Sequence, residues 1–321
     1  MKRLPLVALL AITRALPAQE LSDPVVLIVE VADVTTYRGD TGDYTKLGTV
    51  PGPTMGISRP FQQGLNIGDI RSVSGQPVKG LWIRTFNPAG QMLPVPVPGQ
   101  FIADMETSAT SQCVFNILLP DGTWVGSLFD RAHDPPGPGH YIVGGGGAFT
   151  GVIGEHRLME NLAPQRAAAS VSEDPSMRRI HGGGRIRLRF ILYPRSRPTV
   201  QVNATGPAIF HEDFSQVTAA RPARAGEILI VRATGLGPTK PALDPPGARR
   251  FSADPLEEVN SPIDVTVNGA QAVVLNKAGW PGETNVYRVD FRVPDGIPAG
   301  TGAVRLTAAW IPGPEVTIPV R

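Results

Sequence analysis

Hydrophobic positions recur along this chain with the period of a strand far more often than with that of a helix. PVVLIVEVADVTTY, from Pro24, runs continuously apolar and then alternates, which predicts a strand. KGLWIRTF, ending at Phe86, and FIADM, starting at Phe101, predict two more. Cys113–Leu119 and Trp124–Phe129 flank Pro120, Asp121 and Gly122. Proline presets one turn angle and glycine accepts the positive φ of another, so the pair predicts a hairpin. RIRLRFILYP alternates, with Arg185, Arg187 and Arg189 on one face and Ile186, Leu188 and Phe190 on the other. That arginine row reads as a solvated outer face; turned inward it would line a cationic lumen. Only RLMENLAPQRAAAS, from Arg157, admits one or two helical turns, with Pro164 stopping anything longer.

The last third keeps the strand habit. EILIVRATGLG predicts a strand ending at Gly235, and DVTVNGAQAVVL a hairpin around Asn268 and Gly269. NVYRVDFRVP sets Val286, Arg288, Asp290 and Arg292 against Tyr287, Val289, Phe291 and Val293; AVRLTAAWI and EVTIPV complete the set. Several short strands in so short a span predict a small sandwich. Between these runs lie breaks: a glycine-rich polar passage from Arg38 to about Pro60, the rigid HDPPGPGH of His133–His140, and RSRPTVQVNATGP from Arg195 to Pro207. The last reads as an interdomain connection. At 321 residues the length suggests about two domains, and we divide the chain into 20–200 and 201–321. The 36 glycines and 33 prolines fit an all-β protein with many turns.

A net charge of +2 with scattered Lys and Arg is too mild to argue for a polyanion-binding face, so a general soluble surface is read and no nucleic-acid partner is expected. The start, MKRLPLVALLAITRALPAQE, has the layout of a secretory signal over residues 1–19: Lys2 and Arg3, then an apolar run Leu4–Ile12, then small residues near Ala15 and Ala18. The run is far shorter than the ~20 residues a transmembrane span needs. Cys113 is the single cysteine, so an exported fold would have no internal disulfide. It lies in the strand-like SQCVFNILL with no histidine nearby in sequence, which favours a buried thiol over a nucleophile.

Two stretches resemble known families. AGEILIVRATGLGPTKP, SPIDVTVNGAQAVVL, GWPGETNVYRVDFRVPDGIPAG and AVRLTAAWI follow, in order, the pattern of the Solibacter-type C-terminal domain of secreted acidobacterial proteins. The resemblance covers about Pro207 to Arg321. It implies an immunoglobulin-like sandwich and an extracytoplasmic setting, and brings no catalytic residues. FNILLPDGTWVGSLF followed by YIVGGGGAFTGVIGEH resembles the allene oxide cyclase and dirigent barrel pattern, with NIGDIRSVSGQPVKGLWIRTF suiting an earlier strand pair. That resemblance covers roughly Pro24 to Thr199 and implies an antiparallel β-barrel. Gly146 stands where the family's usual threonine would be, and Arg157 to His181 looks like an insertion.

Within that barrel, Gly144, Gly145, Gly146 and Gly147 read as a corner that lets a strand coil tightly, with Phe149 filling the space beside them. A phosphate loop would need a lysine and a hydroxyl after the last glycine, where Ala148 and Phe149 stand. HGGG, His181–Gly184, would suit an esterase oxyanion loop, but no G-x-S-x-G nucleophile elbow exists in the chain, so it reads as a turn into RIRLRF. The histidines His133, His140, His156, His181 and His211 show no zinc-like spacing. No metal or other cofactor is therefore expected, although His133, Asp134 and His140 are close enough in sequence to gather around a cation. The densest polar cluster is SVSEDPSMRRIHGGGR. Glu173 and Asp174 can pair with Arg178, Arg179 and His181 to hold the loop, or the insertion can lie over a barrel mouth and receive an anionic or phenolic ligand. With no complete catalytic constellation, the expectation is a secreted binding protein. Its partner would be a small organic or anionic ligand, or a cell-surface partner of the C-terminal module. The alternatives are a cyclase- or dirigent-like enzyme or guide working by confinement in the lumen, and a structural envelope component.

Overall fold

The computed structural model describes residues 23–38, 64–86, 109–134, 140–167, 174–241 and 249–321. The expected signal segment, the strand at Phe101 and Glu173 lie outside them. Eight antiparallel strands close a barrel: β1 (Val25–Arg38), β2 (Gly64–Val73), β3 (Lys79–Phe86), β4 (Ala109–Leu118), β5 (Trp124–Asp134), β6 (His140–Gly147), β7 (Ile153–Ala163) and β8 (Gly184–Tyr193). Each pairs with the next, and β1 closes the ring by pairing with both β2 and β8. β1 bends at Asp33, which has φ +55° and sits where the register shifts against both neighbours. Such a bulge strengthens the local coil that a small barrel needs.

Inside, Leu27, Val29, Ile70, Phe115, Leu128 and Phe190 are among the fully buried side chains of one apolar core. The arginine row of β8 faces outward while Ile186, Leu188 and Phe190 are buried. Arg187 pairs with Glu30 at 2.6 Å and Glu160 at 2.9 Å across the outer wall. Where one or two helical turns were expected from Arg157, the chain is instead strand as far as Ala163. Its helix-favouring residues are overridden by the ladder to β8, which satisfies the backbone from Tyr193↔Ile153 to Arg185↔Ala163. After Pro164, Arg166–Ala167 pairs in parallel with Thr35–Thr36.

The glycine run ends β6. Gly147 has φ +64°, and a Cβ on Gly145 would meet the Phe149 carbonyl oxygen at 2.4 Å. Phe149 itself is fully buried and fills this end of the barrel. Opposite, the register between β5 and β6 shifts between Phe129 and Asp130, leaving Val143 as the extra residue of a bulge.

The remaining chain forms two open sheets over a second core. β9 (Ile228–Thr234), β11 (Val273–Gly279) and β12 (Val286–Arg292) make the body of one; β10 (Ile263–Val267), β13 (Gly300–Ala308) and β14 (Ile311–Val320) make that of the other. Leu229, Val231, Tyr287 and Phe291 from the first sheet share the core with Val265, Val304 and Leu306 from the second. The Asn268–Gly269 hairpin forms, both residues at positive φ, followed by Ala270 paired with Val267. Within the segment read as a connection, Thr199–Val200 pairs with Thr234–Ala233 of β9.

The two units interlock at the barrel base, the end where β1 begins. Ala309, Trp310 and Ile311, at the β13–β14 turn, are buried in the barrel's own core cluster. Trp310 Nε1 donates to Gln76 Oε1 at 2.8 Å, and Asn260 Nδ2 donates to the Trp124 carbonyl at 2.9 Å. Lys240 lies 3.7 Å from Asp121. At the opposite end, the rim, β1, β3, β5 and β7 finish and β2, β4, β6 and β8 begin.

Candidate functional site

The lumen is apolar along β1 and β8, where Val34, Ile186 and Leu188 are buried up to the rim ends, and carries its polar groups part-way along β3 to β7. Inward positions on adjacent strands carry Arg84 on β3, Cys113 on β4, Asp130 on β5, His140 on β6 and His156 on β7. Register explains the gathering. Arg84 is opposite Cys113, Cys113 is opposite Asp130, His140 is opposite His156, and His156 is opposite Phe190. Because alternate residues of a strand face the same side, each strand contributes one such group at about the same depth.

Asp130 is the hub. Its Oδ1 accepts the backbone N–H of Cys113, and its Oδ2 contacts His140 Nδ1 at 2.9 Å and His156 Nε2. The Asp130 carboxylate is fully buried, Cys113 and His156 nearly so, while His140 keeps about a quarter of its side chain exposed (23%). The donor atoms of Cys113, Asp130, His140 and His156 all lie within 4.8 Å of one another. An aromatic wall holds the imidazoles in place. The His156 ring stacks on Phe190 at 5.0 Å and on His140 at 4.7 Å, and meets the edge of Phe115 at 5.0 Å.

The electrostatics follow from burial and neighbours. Burial alone would raise the Asp130 carboxyl, but hydrogen bonds from His140 and His156 hold it below the ordinary carboxylate range. Burial lowers His156, against the pull of Asp130, so its ring is neutral near pH 7. Burial, and then the Asp130 charge, push the Cys113 thiol up, which keeps it protonated and a poor nucleophile. His156 Nδ1 is buried with no hydrogen-bond partner among the described residues. A carboxylate flanked by two imidazoles and a thiol can accept protons, orient a ring nitrogen at the lumen, or hold a cation.

The cluster singled out in the sequence sits elsewhere. Asp174 caps a short 3-10 turn, Pro175–Met177, by accepting Ser176 N–H at 2.8 Å. Arg178 and Arg179 are not its partners: both bind Asp69 of β2, which lies 109 and 110 residues earlier. Arg179 Nε reaches Asp69 Oδ2 at 2.6 Å, and Arg71 adds a contact at 3.2 Å. Asp69 faces out of the barrel, opposite Leu81, so these residues clamp the Pro175–His181 turn to the outer wall. His181 is exposed at the end of that turn. Gly182, at φ +73°, ends it, and HGGG leads into β8. No G-x-S-x-G elbow accompanies it.

Sequence spacing could not reveal the lumen cluster, because its members come from four strands. The usable signal was parity: Cys113 shares a face with Phe115 and Ile117, and Asp130 with Leu128. A charged residue on an apolar face is the mark of a buried polar site. Compared with known proteins, the chain matches no family model and no curated protein.

Proposed function

We propose that this protein is an extracytoplasmic binding protein whose ligand site is the rim-side half of the barrel lumen. The observation that carries this is the separation of the two barrel ends. The base is closed by Phe149 and by Trp310 from the second unit, while the chemistry-bearing groups lie above it on the inward faces of β3 to β7, with His140 at the first residue of β6 on the rim side. Binding sites favour mostly apolar concavities with a few convergent polar groups, and barrel mouths are a common location for them. The export signal belongs to this reading through the charged-then-apolar layout of residues 1–19, and the dirigent-like barrel and immunoglobulin-like second unit through the sequence resemblances given above. The second unit then has two roles, as a plug for the base and as a surface for partners.

Native mass spectrometry of the purified full chain tests it. A small molecule retained by the wild type and lost from Asp130→Asn supports a lumen site. Retention that is indifferent to Asp130, His140 and Arg84 substitutions refutes it.

A second reading is favoured by His140. Its Nδ1 is held by a buried carboxylate while part of the ring stays accessible, the arrangement that acid–base catalysis uses. On that reading the barrel is a cyclase- or dirigent-like guide, with His140 exchanging protons with a confined substrate.

A further inference from the structure

We propose that Cys113, Asp130, His140 and His156 form a binding site for a divalent, thiophilic metal ion of the zinc class. This deepens the binding reading above, from which it takes the premise that the lumen cluster is a working site. The donor set is the first reason. One thiol sulfur, one carboxylate oxygen and two imidazole nitrogens lie within 4.8 Å of one another. Four donors of mixed nitrogen, sulfur and oxygen type suit four-coordinate zinc, whereas calcium and magnesium take oxygen ligands.

The second reason is placement. The four side chains come one each from four consecutive strands of a closed ladder, so the backbone fixes their positions before any ligand arrives. Sites carried on rigid strands hold coordination geometry better than sites on loops. Around them Phe115, Leu128, Ile142 and Phe190 form an apolar shell, with His140 as the partly exposed side. Charge is the third reason. An ion that displaces the Cys113 proton into solvent leaves a thiolate beside the Asp130 carboxylate, two negative charges that a divalent ion neutralises inside a low-dielectric lumen.

A plain structural account explains only part of this. Asp130 alone could serve as a buried acceptor for the Cys113 backbone N–H and two ring nitrogens. It gives no reason for the chain's single thiol to face the same point. In a protein that cannot form an internal disulfide, an ion bridging four strands would tie the rim half of the barrel together. Binding to the folded state alone stabilises by mass action.

The test is a titration of the full chain, freed of metal by chelation, with Zn2+ and with Co2+ as the spectroscopic probe. One ion per chain should survive desalting, and Zn2+ should raise the melting temperature. The Co2+ form should show tetrahedral visible bands and a thiolate charge-transfer band. Cys113→Ser should abolish the charge-transfer band. His140→Gln, the most exposed ligand and the mildest change, should weaken affinity at least tenfold while far-UV circular dichroism stays native. A folded wild type that retains no ion and gains no thermal stability overturns the proposal. So does an ion whose spectrum ignores Cys113→Ser and whose affinity ignores His140→Gln. An organic ligand retained without metal would sink the metal site and leave the binding reading standing. Metal without any organic ligand would leave the ion and remove the organic ligand from that reading.

Discussion

Single alanines at Gly144, Gly145, Gly146 and Gly147 would separate a sterically required bend from a slack glycine tract. At Gly147 a Cβ would lie 2.6 Å from the Val125 oxygen and 2.8 Å from the Gly126 Cα, on a backbone with φ +64°. The conformation itself costs a non-glycine residue about 1–3 kcal/mol, and forcing the backbone aside costs a further ~1–3 kcal/mol. A shift that relieves one relieves part of the other, so about 2–4 kcal/mol is expected for Gly147→Ala. Gly145→Ala carries only the steric part, with the Phe149 oxygen at 2.4 Å and the Ser127 oxygen at 2.9 Å, or roughly 1–3 kcal/mol. Gly144 has nothing within 4 Å and Gly146 only the Trp124 ring at 3.9 Å. Alanine there should be neutral or stabilising by up to ~1 kcal/mol, because it reduces the freedom of the unfolded chain. For a unit of this size each kcal/mol moves Tm by roughly 2–4 °C. Thermal unfolding followed by circular dichroism should therefore rank Gly147→Ala and Gly145→Ala well below the wild type, with the other two beside it. Four equal melting temperatures, or Gly144→Ala as the least stable, would refute the steric account of this corner.

Other outcomes follow from the interface and the outer clamp. Trp310→Ala should cost about 3–5 kcal/mol, as loss of a buried tryptophan does, and should lower the unfolding midpoint of the barrel as well as the second unit. An unchanged urea midpoint would show that the base is not sealed by this side chain. Lys240→Ala, although it removes contacts to Asp121 at 3.7 Å and Glu258 at 3.2 Å, should cost under ~1 kcal/mol, because the pair partners are exposed and screened. A larger loss would mean the units are joined by charge more than by packing. The arginines around Asp69 lower its carboxyl below the ordinary value, outweighing the opposing effect of burial. A lowered folded pKa means the folded state binds fewer protons, so this stabilisation is present above the unfolded carboxylate pKa and is lost as pH falls through the folded value. Urea midpoints at pH 7 and pH 3 should therefore differ more for the wild type than for Asp69→Asn. Equal acid sensitivity would refute the clamp.

The strands that the sequence states most plainly are those whose alternation is local. Val25–Arg38, the Pro120–Gly122 hairpin, RIRLRF and the Asn268–Gly269 turn all form where their patterns lie. Arg157–Ala163 was misleading because Leu, Met and Glu suit a helix in isolation, and only the β8 ladder makes strand the cheaper solution. The charged insertion misled in a different way. Glu173 and Asp174 are the nearest acids to Arg178 and Arg179, but the carboxylate that the fold presents to those arginines is Asp69.

By itself, then, the chain's pattern determined an all-β protein, the outward arginine face of β8 and the burial of Cys113, because side-chain parity and turn geometry act over a few residues. Closure of the eight strands decided everything that depends on register between them. It set Asp130 beside Cys113, brought His140 and His156 to the same carboxylate, and placed Trp310 under the barrel base. The physical reason is that local pattern says which face a residue takes, whereas its depth in the lumen depends on how far each strand has slid against its neighbour. In a closed ladder that offset is fixed only when all eight strands are satisfied at once.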